Sequence, residues 1–308
     1  MRAVCIGECM AELRQTDRSL YALGFAGDAY NAAVYLKRSA PRVQVNFLTA
    51  TGESTLSRAM RERFAAEGME DALAFIAKDR EIGLYMIELD AAGERRFHYW
   101  RSASAARCWL QLLMQNGGAA RLAGADLVCL SGVSLAILPD DEARTAAIEL
   151  LRTLKDRVGK IAFDANLRPS LWRNLDAARA AIAPMIRLAD VFRASGDDAA
   201  LLTGAHEPET QIGALRAGGA HEIALTLGAA GCIVATQDGA VALPALAVEV
   251  KDTTGAGDAF TGAYLAARLS GAAPVDAAEA ALKIASRVVT YPGAIAPPEI
   301  LDPEELRC

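Results

Sequence analysis

Metal-binding and disulfide-forming residues are few in this sequence of 308 residues. It contains six cysteines and three histidines, and no two cysteines stand in a Cys-x-x-Cys pair. These numbers and spacings argue against a metal cluster or a disulfide framework. Cys5, Cys129 and Cys232 lie inside apolar runs typical of strands, where a thiol usually serves as a small hydrophobic side chain. We therefore expect these three cysteines in the core.

Two common nucleotide-binding motifs are absent, and so is an excess of positive charge. No P-loop motif, Gly-x-x-x-x-Gly-Lys-Ser/Thr, occurs in the chain. No Gly-x-Gly-x-x-Gly follows a strand-like run, so a dinucleotide-binding fold has no support. The formal net charge of −6 argues against binding to nucleic acid or to an acidic membrane surface. The expected partners are small metabolites.

The sequence has no apolar run long enough to cross a membrane. Its longest uncharged apolar run, 127–138, is too short to span a bilayer. Glu8 interrupts the apolar stretch at the N-terminus, which argues against a secretory signal. We therefore expect a cytoplasmic protein. A hydrophobic content of 53% with 23% charged residues is typical of a globular protein with a large core.

Strand-like and helical patterns alternate along most of the chain. After an apolar run at 2–8 and a turn-like segment, the patterns predict strands at 43–50, 125–131, 160–163, 190–194 and 221–226. They predict helices at 29–38, 54–67, 140–158, 176–188, 197–203, 211–217, 257–269 and 275–291, with a hairpin-like stretch at 231–250. Such alternation predicts a parallel sheet covered by helices on both faces, with ligands at the carboxyl ends of the strands.

Two aromatic runs interrupt this alternation. Residues 83–90 and 95–101 are rich in β-forming side chains, and a short turn-like segment joins them. This pattern predicts a hairpin, which would rise from the α/β body. We expect a single domain over residues 1–308, with a β-sheet lid formed mainly by 73–107 and partly by 9–27. Because a β-sheet lid exposes its edges, we also expect a homodimer in which two lids pair.

The motif Asp-Thr-Thr-Gly-Ala-Gly-Asp at 252–258 stands where an apolar helix is about to begin. Gly255 and Gly257 can adopt backbone angles closed to other residues, so successive N–H groups can turn toward one point at the positive end of the helix dipole. The motif therefore predicts an anion site. Asp258, in the first turn, would reach a hydroxyl group beside that anion and act as a general base. The alternative is a helix entry whose aspartates only cap free N–H groups.

The first long helix opens on Gly27, Asp28 and Asn31. A glycine and two small polar side chains suit contact with sugar hydroxyls. Asp and Asn also favour helix starts for their own sake, and a cap is the simpler interpretation from the residues alone.

Aromatic and cationic side chains of the predicted hairpin are further candidates for substrate binding. Tyr99 and Arg101 are two residues apart, so on a strand they share one face, and Tyr85 lies on the partner run. The alternative is an aromatic ladder on an exposed sheet, or a dimer contact. Arg107 and Arg168 are additional cationic candidates, because the arginine fork matches a carboxylate.

The string at 252–258 resembles the second signature of the ribokinase-like, or PfkB, family of sugar and nucleoside kinases. The resemblance implies an α/β ribokinase-like fold, with a central, mainly parallel sheet flanked by helices and a small β-sheet lid. It also implies an ATP-dependent kinase, in which Asp258 is the catalytic base and the backbone of Gly255, Ala256 and Gly257 forms an anion hole.

The start of the first helix resembles another signature of that family. Gly27 and Asn31 match the last positions of a Gly-Gly-x-x-x-Asn motif that touches the sugar. Ala26 stands where the motif has its first glycine, so the backbone contact at this position departs from the family's pattern.

Longer strings resemble the sugar-acid kinases of the same family, and the match runs over nearly the whole chain. They lie at 7–13, 83–107 and 164–169. By this resemblance, the residues that hold the sugar acid are Gly27, Tyr85, Tyr99, Arg101 and Arg168. Arginines suit a substrate with a carboxylate, although the segment around Arg168 could be ordinary strand-end turn chemistry. Two alternatives stay open, namely a kinase of a neutral sugar such as fructose, ribose or tagatose, and a catalytically silent sugar-binding regulator.

The turn at 226–231 is the first candidate on the nucleotide side. It follows a predicted strand and resembles the family's Lys/Thr-x-Gly-x-x-Gly turn against the ATP phosphates and ribose. That resemblance assigns Thr226, Gly228 and Gly231 to nucleotide binding. A glycine-rich hairpin turn is the alternative.

Ser195 and Asp198 are the second candidate on the nucleotide side. They occupy the place of the family's Asn-x-x-Glu, which helps to organise magnesium and phosphate, and both side chains are shorter here. A serine with an acid three residues later is also a capping box. Ser286, in the last predicted helix, is a further nucleotide-binding candidate. The resemblance implies ATP and Mg²⁺ as cofactors, with a monovalent cation in addition.

Overall fold

The computed structural model describes residues 1–17, 19–70, 72–89 and 95–300. In this part of the chain the strands are β1 Arg2–Ile6, β2 Met10–Asp17, β3 Leu20–Ala26, β4 Gln44–Thr51, β5 Ala74–Ile76, β6 Leu84–Leu89, β7 Arg95–Trp100, β8 Leu127–Ser131, β9 Lys160–Asp164, β10 Val191–Ser195, β11 Glu222–Thr226, β12 Cys232–Thr236 and β13 Gly239–Leu243. The helices are α1 Asp28–Ser39, α2 Thr55–Ala66, α3 Trp109–Gln115, α4 Gly132–Ala136, α5 Asp141–Leu154, α6 Leu175–Leu188, α7 Gly196–Thr203, α8 Pro208–Ala217, α9 Ala256–Leu269 and α10 Pro274–Val288.

The larger sheet has nine strands in the order β13-β12-β11-β10-β9-β8-β1-β4-β5. The strands from β11 to β5 in that order pair in parallel, and β12 and β13 are antiparallel. Each predicted strand and helix has a counterpart, within a few residues at its ends. The predicted α/β fold with a mainly parallel central sheet is therefore confirmed.

Two hydrophobic cores lie on the two faces of this sheet. Successive residues of a strand point to opposite faces, and accordingly Val4 and Ile6 belong to one core while Ala3 and Cys5 belong to the other. The first core is packed mainly by α3, α5, α6 and α8, and the second by α1, α2, α9 and α10. Cys5, Cys129 and Cys232 are buried in the second core, as predicted.

The lid is a four-stranded sheet in the order β3-β2-β6-β7. The β6–β7 hairpin was predicted, and the residues that join its strands, 90–94, lie outside the described residues. The turn-like interpretation of the segment after Glu8 is wrong, because β2 and β3 form a second antiparallel pair there. Half of the lid strands therefore come from 10–26, while β5, within the predicted lid segment 73–107, extends the larger sheet.

One face of the lid packs on the body through a small apolar cluster. Its members are Met10, Ala26, Tyr85, Ile87 and Ala294. Paired residues of neighbouring strands point to the same side of a sheet. Tyr85 pairs with Glu12 on β2 and with Tyr99 on β7, so all three side chains lie on the face that packs on the body. Trp100 points to the opposite face and is 57% exposed.

The carboxyl ends of five neighbouring strands converge beside the start of α9. They carry Glu8 just after β1, Ser131 at the end of β8, Asp164 at the end of β9, Ser195 at the end of β10 and Thr226 at the end of β11. This edge of a parallel sheet is where ligands bind in open α/β folds. Among the described residues, no helix is both long enough and apolar enough to cross a membrane.

Candidate active site

The anion cradle is the backbone of residues 255–257 at the start of α9. Gly255 has φ 77°, a conformation that favours glycine, and an added Cβ would lie 2.4 Å from the carbonyl oxygen of Ala294. The first bond of the helical ladder runs from Ala259 N to Gly255 O (2.8 Å). The N–H groups of Gly257 and Asp258 precede it and therefore stand at the positive end of the helix. This geometry suits an anion such as a phosphate.

Asp258 lies in the first turn of α9 and is held by the start of α1. Asn31 Nδ2 donates a hydrogen bond of 2.7 Å to Asp258 Oδ2. The pKa of Asp258 is raised to about 7, mainly by burial and next by the nearby carboxylate of Asp28, whereas the bond from Asn31 lowers it. A carboxylate whose pKa lies near neutral pH is well suited to act as a general base.

The start of α1 is fixed by close backbone packing rather than by a side-chain cap. Gly27 is extended and precedes the helix, and an added Cβ would lie 2.1 Å from the carbonyl oxygen of Glu8. Gly27 N donates to Asn31 Oδ1 at 3.3 Å. Asp28 Oδ2 accepts bonds from Ser131 Oγ (2.5 Å) and Asn166 Nδ2 (2.7 Å). Asp28 therefore does not cap α1, because its side chain binds neighbouring elements, whereas Asn31 connects the N–H group of Gly27 to Asp258.

Asn166 links the segment after β9 to this cluster. It adopts φ 26°, which is rare for a residue other than glycine, and its side chain reaches Asp28. Arg168 follows two residues later and is exposed, and its side chain makes no hydrogen bond or ion pair with any residue that the structure describes. Its guanidinium group is therefore free to bind an anionic substrate.

The two tyrosines predicted to bind substrate stack on one another in the lid. The ring centroids of Tyr85 and Tyr99 are 5.7 Å apart with an interplanar angle of 28°. Tyr85 is buried and donates its hydroxyl hydrogen bond to Glu12 Oε2. Burial and the Glu12 carboxylate both raise the pKa of Tyr85, so this hydroxyl stays protonated. Tyr99 is 53% exposed on the same face, which leaves its hydroxyl accessible.

Arg101 lies just after β7 and forms a buried ion pair with Glu8. Burial raises the pKa of Glu8, and the charge of Arg101 opposes this effect. Gly83 makes room for the pair, because a Cβ there would lie 2.9 Å from Glu8 Oε1 and 3.2 Å from Arg101 Cβ. Arg107 lies in a short 3-10 turn and, in the described part of the chain, has no side-chain partner.

The turn at 226–231 joins the antiparallel strands β11 and β12, so it is a glycine-rich hairpin turn, and its role in nucleotide binding stays a prediction. Gly228 has φ 58° and Gly231 has φ 98°, and Leu227 N donates to Gly231 O at 2.7 Å. An added Cβ at Gly231 would lie 2.0 Å from the carbonyl oxygen of Leu243, so only glycine fits there. Thr226 Oγ1, at the end of β11, accepts a bond of 2.8 Å from Arg193 Nη2.

Ser195 and Asp198 form a capping box at the start of α7. Ser195 Oγ receives a bond from Asp198 N (3.0 Å), and Asp198 Oδ2 receives one from Ser195 Oγ (2.8 Å). Asp198 Oδ1 accepts from Leu167 N at 3.0 Å. Both carboxylate oxygens thus accept hydrogen bonds, and a role of Asp198 toward magnesium stays a prediction. The described residues contain no group of three or more acids, cysteines or histidines that could hold a metal.

Ser286 is buried in α10, close to its C-terminal end. Three residues later, the carbonyl oxygen of Val289 accepts bonds from Lys251 N (2.8 Å) and Asp252 N (3.1 Å). The last turn of α10 is therefore tied to the segment that leads into the anion cradle. A nucleotide-binding role for Ser286 stays a prediction.

The sequence analysis missed a buried polar cluster beneath the anion cradle. Arg193 Nη1 contacts both carboxylate oxygens of Asp164, at 3.0 and 3.3 Å. Thr261 Oγ1 lies 2.8 Å from Asp164 Oδ2 and 3.0 Å from Gly257 O. An arginine inside the apolar run Val-Phe-Arg-Ala was a signal for such a cluster, because a lone buried charge needs a partner.

Comparisons with known proteins give one consistent family. Residues 2–301 match the model of the pfkB family carbohydrate kinases. The chain is 37% identical over 302 residues to the 2-dehydro-3-deoxygluconokinase of Dickeya dadantii (strain 3937), and 36% identical over 302 residues to that of Escherichia coli (strain K12). Each alignment covers 96% of this chain and 97% of the relative.

A solved structure has the same fold. A putative ribokinase II from E. coli, in complex with ATP and Mg²⁺, superposes with a TM-score of 0.84 at 21% sequence identity. The alignment covers 95% of this chain and 94% of that chain. At this level of identity the match concerns the fold alone.

Proposed function

This chain belongs to the pfkB family of carbohydrate kinases, and we propose that within the family it phosphorylates 2-keto-3-deoxygluconate, also called 2-dehydro-3-deoxygluconate. The γ-phosphoryl group of ATP would pass to the 6-hydroxyl group of the sugar acid, giving 2-keto-3-deoxy-6-phosphogluconate. Asp258 would accept the hydroxyl proton as general base. The backbone N–H groups of the anion cradle would stabilise the charge on the transferred phosphoryl group.

One observation carries the chemistry, namely the environment of Asp258. Its carboxylate is partly buried in the first turn of α9, beside the N–H groups of the anion cradle, and its pKa is raised to about 7. An acid of ordinary pKa would be a weaker base, and one of much higher pKa would be protonated at neutral pH. The raised pKa therefore supports proton abstraction from a sugar hydroxyl at the point where a phosphate would bind.

The sugar-acid assignment is supported by the full-length relatives and by the available cationic groups. Arg168 is exposed and unpaired in the described residues, so it can bind a carboxylate without losing an existing partner. Arg101 already pairs with Glu8 and would have to share its guanidinium group with the substrate. Gly27, Asp28, Asn31, Tyr85 and Tyr99 complete the proposed sugar site, with Arg107 as an outer candidate.

The nucleotide would lie across the anion cradle and the turn at 226–231. The open space at Gly228 supports this placement, because no described atom beyond its chain neighbours lies within 4 Å of an added Cβ there and the backbone of the turn is accessible. When bound, Mg²⁺ would neutralise charge on the phosphates. Asp198, whose two carboxylate oxygens accept bonds from Leu167 N and Ser195 Oγ, would help to organise the magnesium and phosphate together with Ser195.

A dimer through the lid belongs to the same proposal. The strands at the two edges of the lid carry large exposed apolar side chains, namely Leu20 and Leu23 on β3 and Phe97, Tyr99 and Trp100 on β7. Unpaired edge strands with exposed apolar groups favour pairing with another copy. Light scattering of the wild type and of Trp100→Glu tests this. A wild-type monomer would contradict the assignment.

A coupled ADP-release assay across a panel of substrates tests the proposed function. The panel holds 2-keto-3-deoxygluconate, fructose, ribose and tagatose, each with ATP and Mg²⁺. We expect turnover to be fastest with the sugar acid. Faster turnover of a neutral sugar would mean that the protein is a kinase whose substrate is that sugar rather than the sugar acid. Sugar binding without any ADP release would favour a catalytically silent regulator.

A further inference from the structure

Arg193 is a charged residue in the middle of an otherwise apolar strand. Its neighbours on β10, Val191, Phe192 and Ala194, are almost completely buried, and Arg193 itself is 9% exposed. Buried ion pairs often stabilise a protein no better than apolar side chains of similar size. Arg193 Nε is also buried, and no described residue accepts its hydrogen bond. A contribution to the stability of the fold therefore does not by itself explain why an arginine stands at this position.

The guanidinium group of Arg193 contacts three different elements. Nη1 binds the Asp164 carboxylate at the end of β9, and Nη2 donates a bond of 2.8 Å to Thr226 at the end of β11. An added Cβ on Gly257 would lie 2.7 Å from Nη2, so the group packs directly against the first turn of α9. Arg193 thus lies between the turn at 226–231 and the anion cradle.

The orientation of the ion pair matters as much as its position. Nη1 binds Asp164, whereas Nη2 donates to Thr226 and is the guanidinium atom nearest to Gly257. The Nη2 amino group is therefore the part of the pair that packs against the first turn of α9, beside the N–H groups at the positive end of the helix. Thr261, one turn into α9, holds Asp164 from the other side.

We propose that Arg193 is a positioning residue for the nucleotide phosphates: its guanidinium group joins the anion cradle to Thr226, so that the two halves of the phosphate site keep one geometry. This proposal rests on the nucleotide placement given under the proposed function. It predicts that replacing Arg193 weakens the binding of ADP. Arg193 is too deeply buried to be the main contact of the sugar.

Arg268 provides a matched control. It forms a buried ion pair with Glu222 at 2.7 Å, and its side chain is 16% exposed against 11% for Arg193. Arg268 lies in the last turn of α9, the helix that begins at the anion cradle. It is ten residues beyond Asp258, which is about 15 Å along the helix axis at 1.5 Å per residue. Replacing either arginine by methionine removes one buried pair, but only one of the two pairs adjoins the anion cradle.

The experiment measures ADP binding by calorimetry without sugar, together with unfolding by denaturant, for wild type, Arg193→Met and Arg268→Met. We expect both variants to lose stability. Arg193→Met should weaken ADP binding by about 10- to 100-fold, the scale of a lost charge-assisted hydrogen bond. Arg268→Met should bind ADP within about twofold of wild type, as distant sites do. Equal ADP affinity in all three proteins, or equal losses in both variants, would overturn the proposal.

Arg193→Lys keeps the proposal testable if Arg193→Met does not fold. Lysine retains the charge but cannot bridge Asp164 and Thr226 with one rigid fork. We expect Arg193→Lys to bind ADP more weakly than the wild type does. In a Thr226→Val background the same substitution should weaken ADP binding less, because Arg193 and Thr226 act together. Additive effects, or wild-type affinity in Arg193→Lys, would contradict the proposal. If the wild type itself bound no ADP, the nucleotide placement would fail instead.

Discussion

Asn31 at the start of α1 donates a hydrogen bond of 2.7 Å to Asp258 at the start of α9, across 227 positions of sequence. The bond joins the proposed sugar side of the site to the proposed base. It also favours the ionised form of Asp258, in opposition to burial and to the charge of Asp28. The two helix starts therefore set the protonation state of the base together.

The first prediction concerns the pH dependence of turnover. Because the pKa of Asp258 is raised to about 7, the base should be mostly protonated at pH 6 and mostly ionised at pH 8. The value of kcat/KM for the sugar acid should therefore rise with pH through about 7 and then level off. A profile that is flat between pH 5 and 8 would exclude Asp258 as the titrating base.

The second prediction concerns Asn31→Ala. Removing the amide removes a bond that lowers the pKa of Asp258. The rising limb of the pH profile should therefore move to higher pH, and the KM for the sugar acid should also rise, because Asn31 belongs to the proposed sugar site. Asn174→Ala is the matched control, because Asn174 caps α6 through Ala177 N and does not contact Asp258. A loss of activity at all pH values, with no displacement of the limb, would contradict this role.

The third prediction concerns stability. The folded-state pKa of Asp258 is raised above the unfolded value, so the native protein holds this proton more tightly than the unfolded chain does. The stability that comes from the protonated group is present at low pH and is lost as the pH rises through about 7. Asp258→Asn should therefore raise the free energy of unfolding at pH 8 more than at pH 5, as measured by denaturant titration. An equal effect at both values would contradict the raised pKa.

The fourth prediction concerns Arg168. Its exposed guanidinium group is proposed to bind the carboxylate of the sugar acid, so Arg168→Ala should raise the KM for the sugar acid by about 10- to 100-fold, with little change in the KM for ATP. Arg173→Ala, an exposed arginine five residues away, should leave both constants unchanged. An Arg168→Ala variant that binds the sugar acid normally by calorimetry would place the carboxylate elsewhere. Arg101→Ala should act in the same direction, but it also leaves Glu8 buried without its partner.

The fifth prediction concerns the lid. Closure over the sugar would exclude water, which competes as phosphoryl acceptor. Sugar acid should slow hydrogen exchange in β6 and β7 more than in the turn at 226–231, and the structure adds β2 and β3 to the protected set, because they pair in the same sheet. Uniform protection, or none in these four strands, would make the lid a static contact surface.

The alternation of strands and helices could be predicted because it depends on the local periodicity of apolar residues. A contribution of 9–27 to the lid was expected, but the pairing of β2 with β3 was not, for a physical reason: one face of the lid packs on the small cluster around Met10 and Ala294, and large side chains of β3 are exposed. Such strands bury too little to show a clear alternation of apolar and polar residues. The β6–β7 hairpin was visible because its strands carry aromatic side chains.

Some parts of the candidate site could likewise be predicted from the sequence, and others could not. The motif at 252–258 could be found from sequence because its glycines and acid are adjacent. The pair Arg193 and Asp164 could not, because the two residues lie 29 positions apart and meet only through the register of neighbouring strands. The contact of Tyr85 with Glu12 depends in the same way on strand pairing within the lid.

Asp258→Asn tests the central claim most directly. The asparagine keeps the shape of the side chain and can still accept the bond from Asn31, but it cannot take a proton from the substrate. We expect the protein to fold, to bind ADP as the wild type does, and to release ADP with the sugar acid about 10²- to 10⁴-fold more slowly, the usual effect of losing a general base. A variant that keeps more than half of the wild-type rate would remove Asp258 from the mechanism.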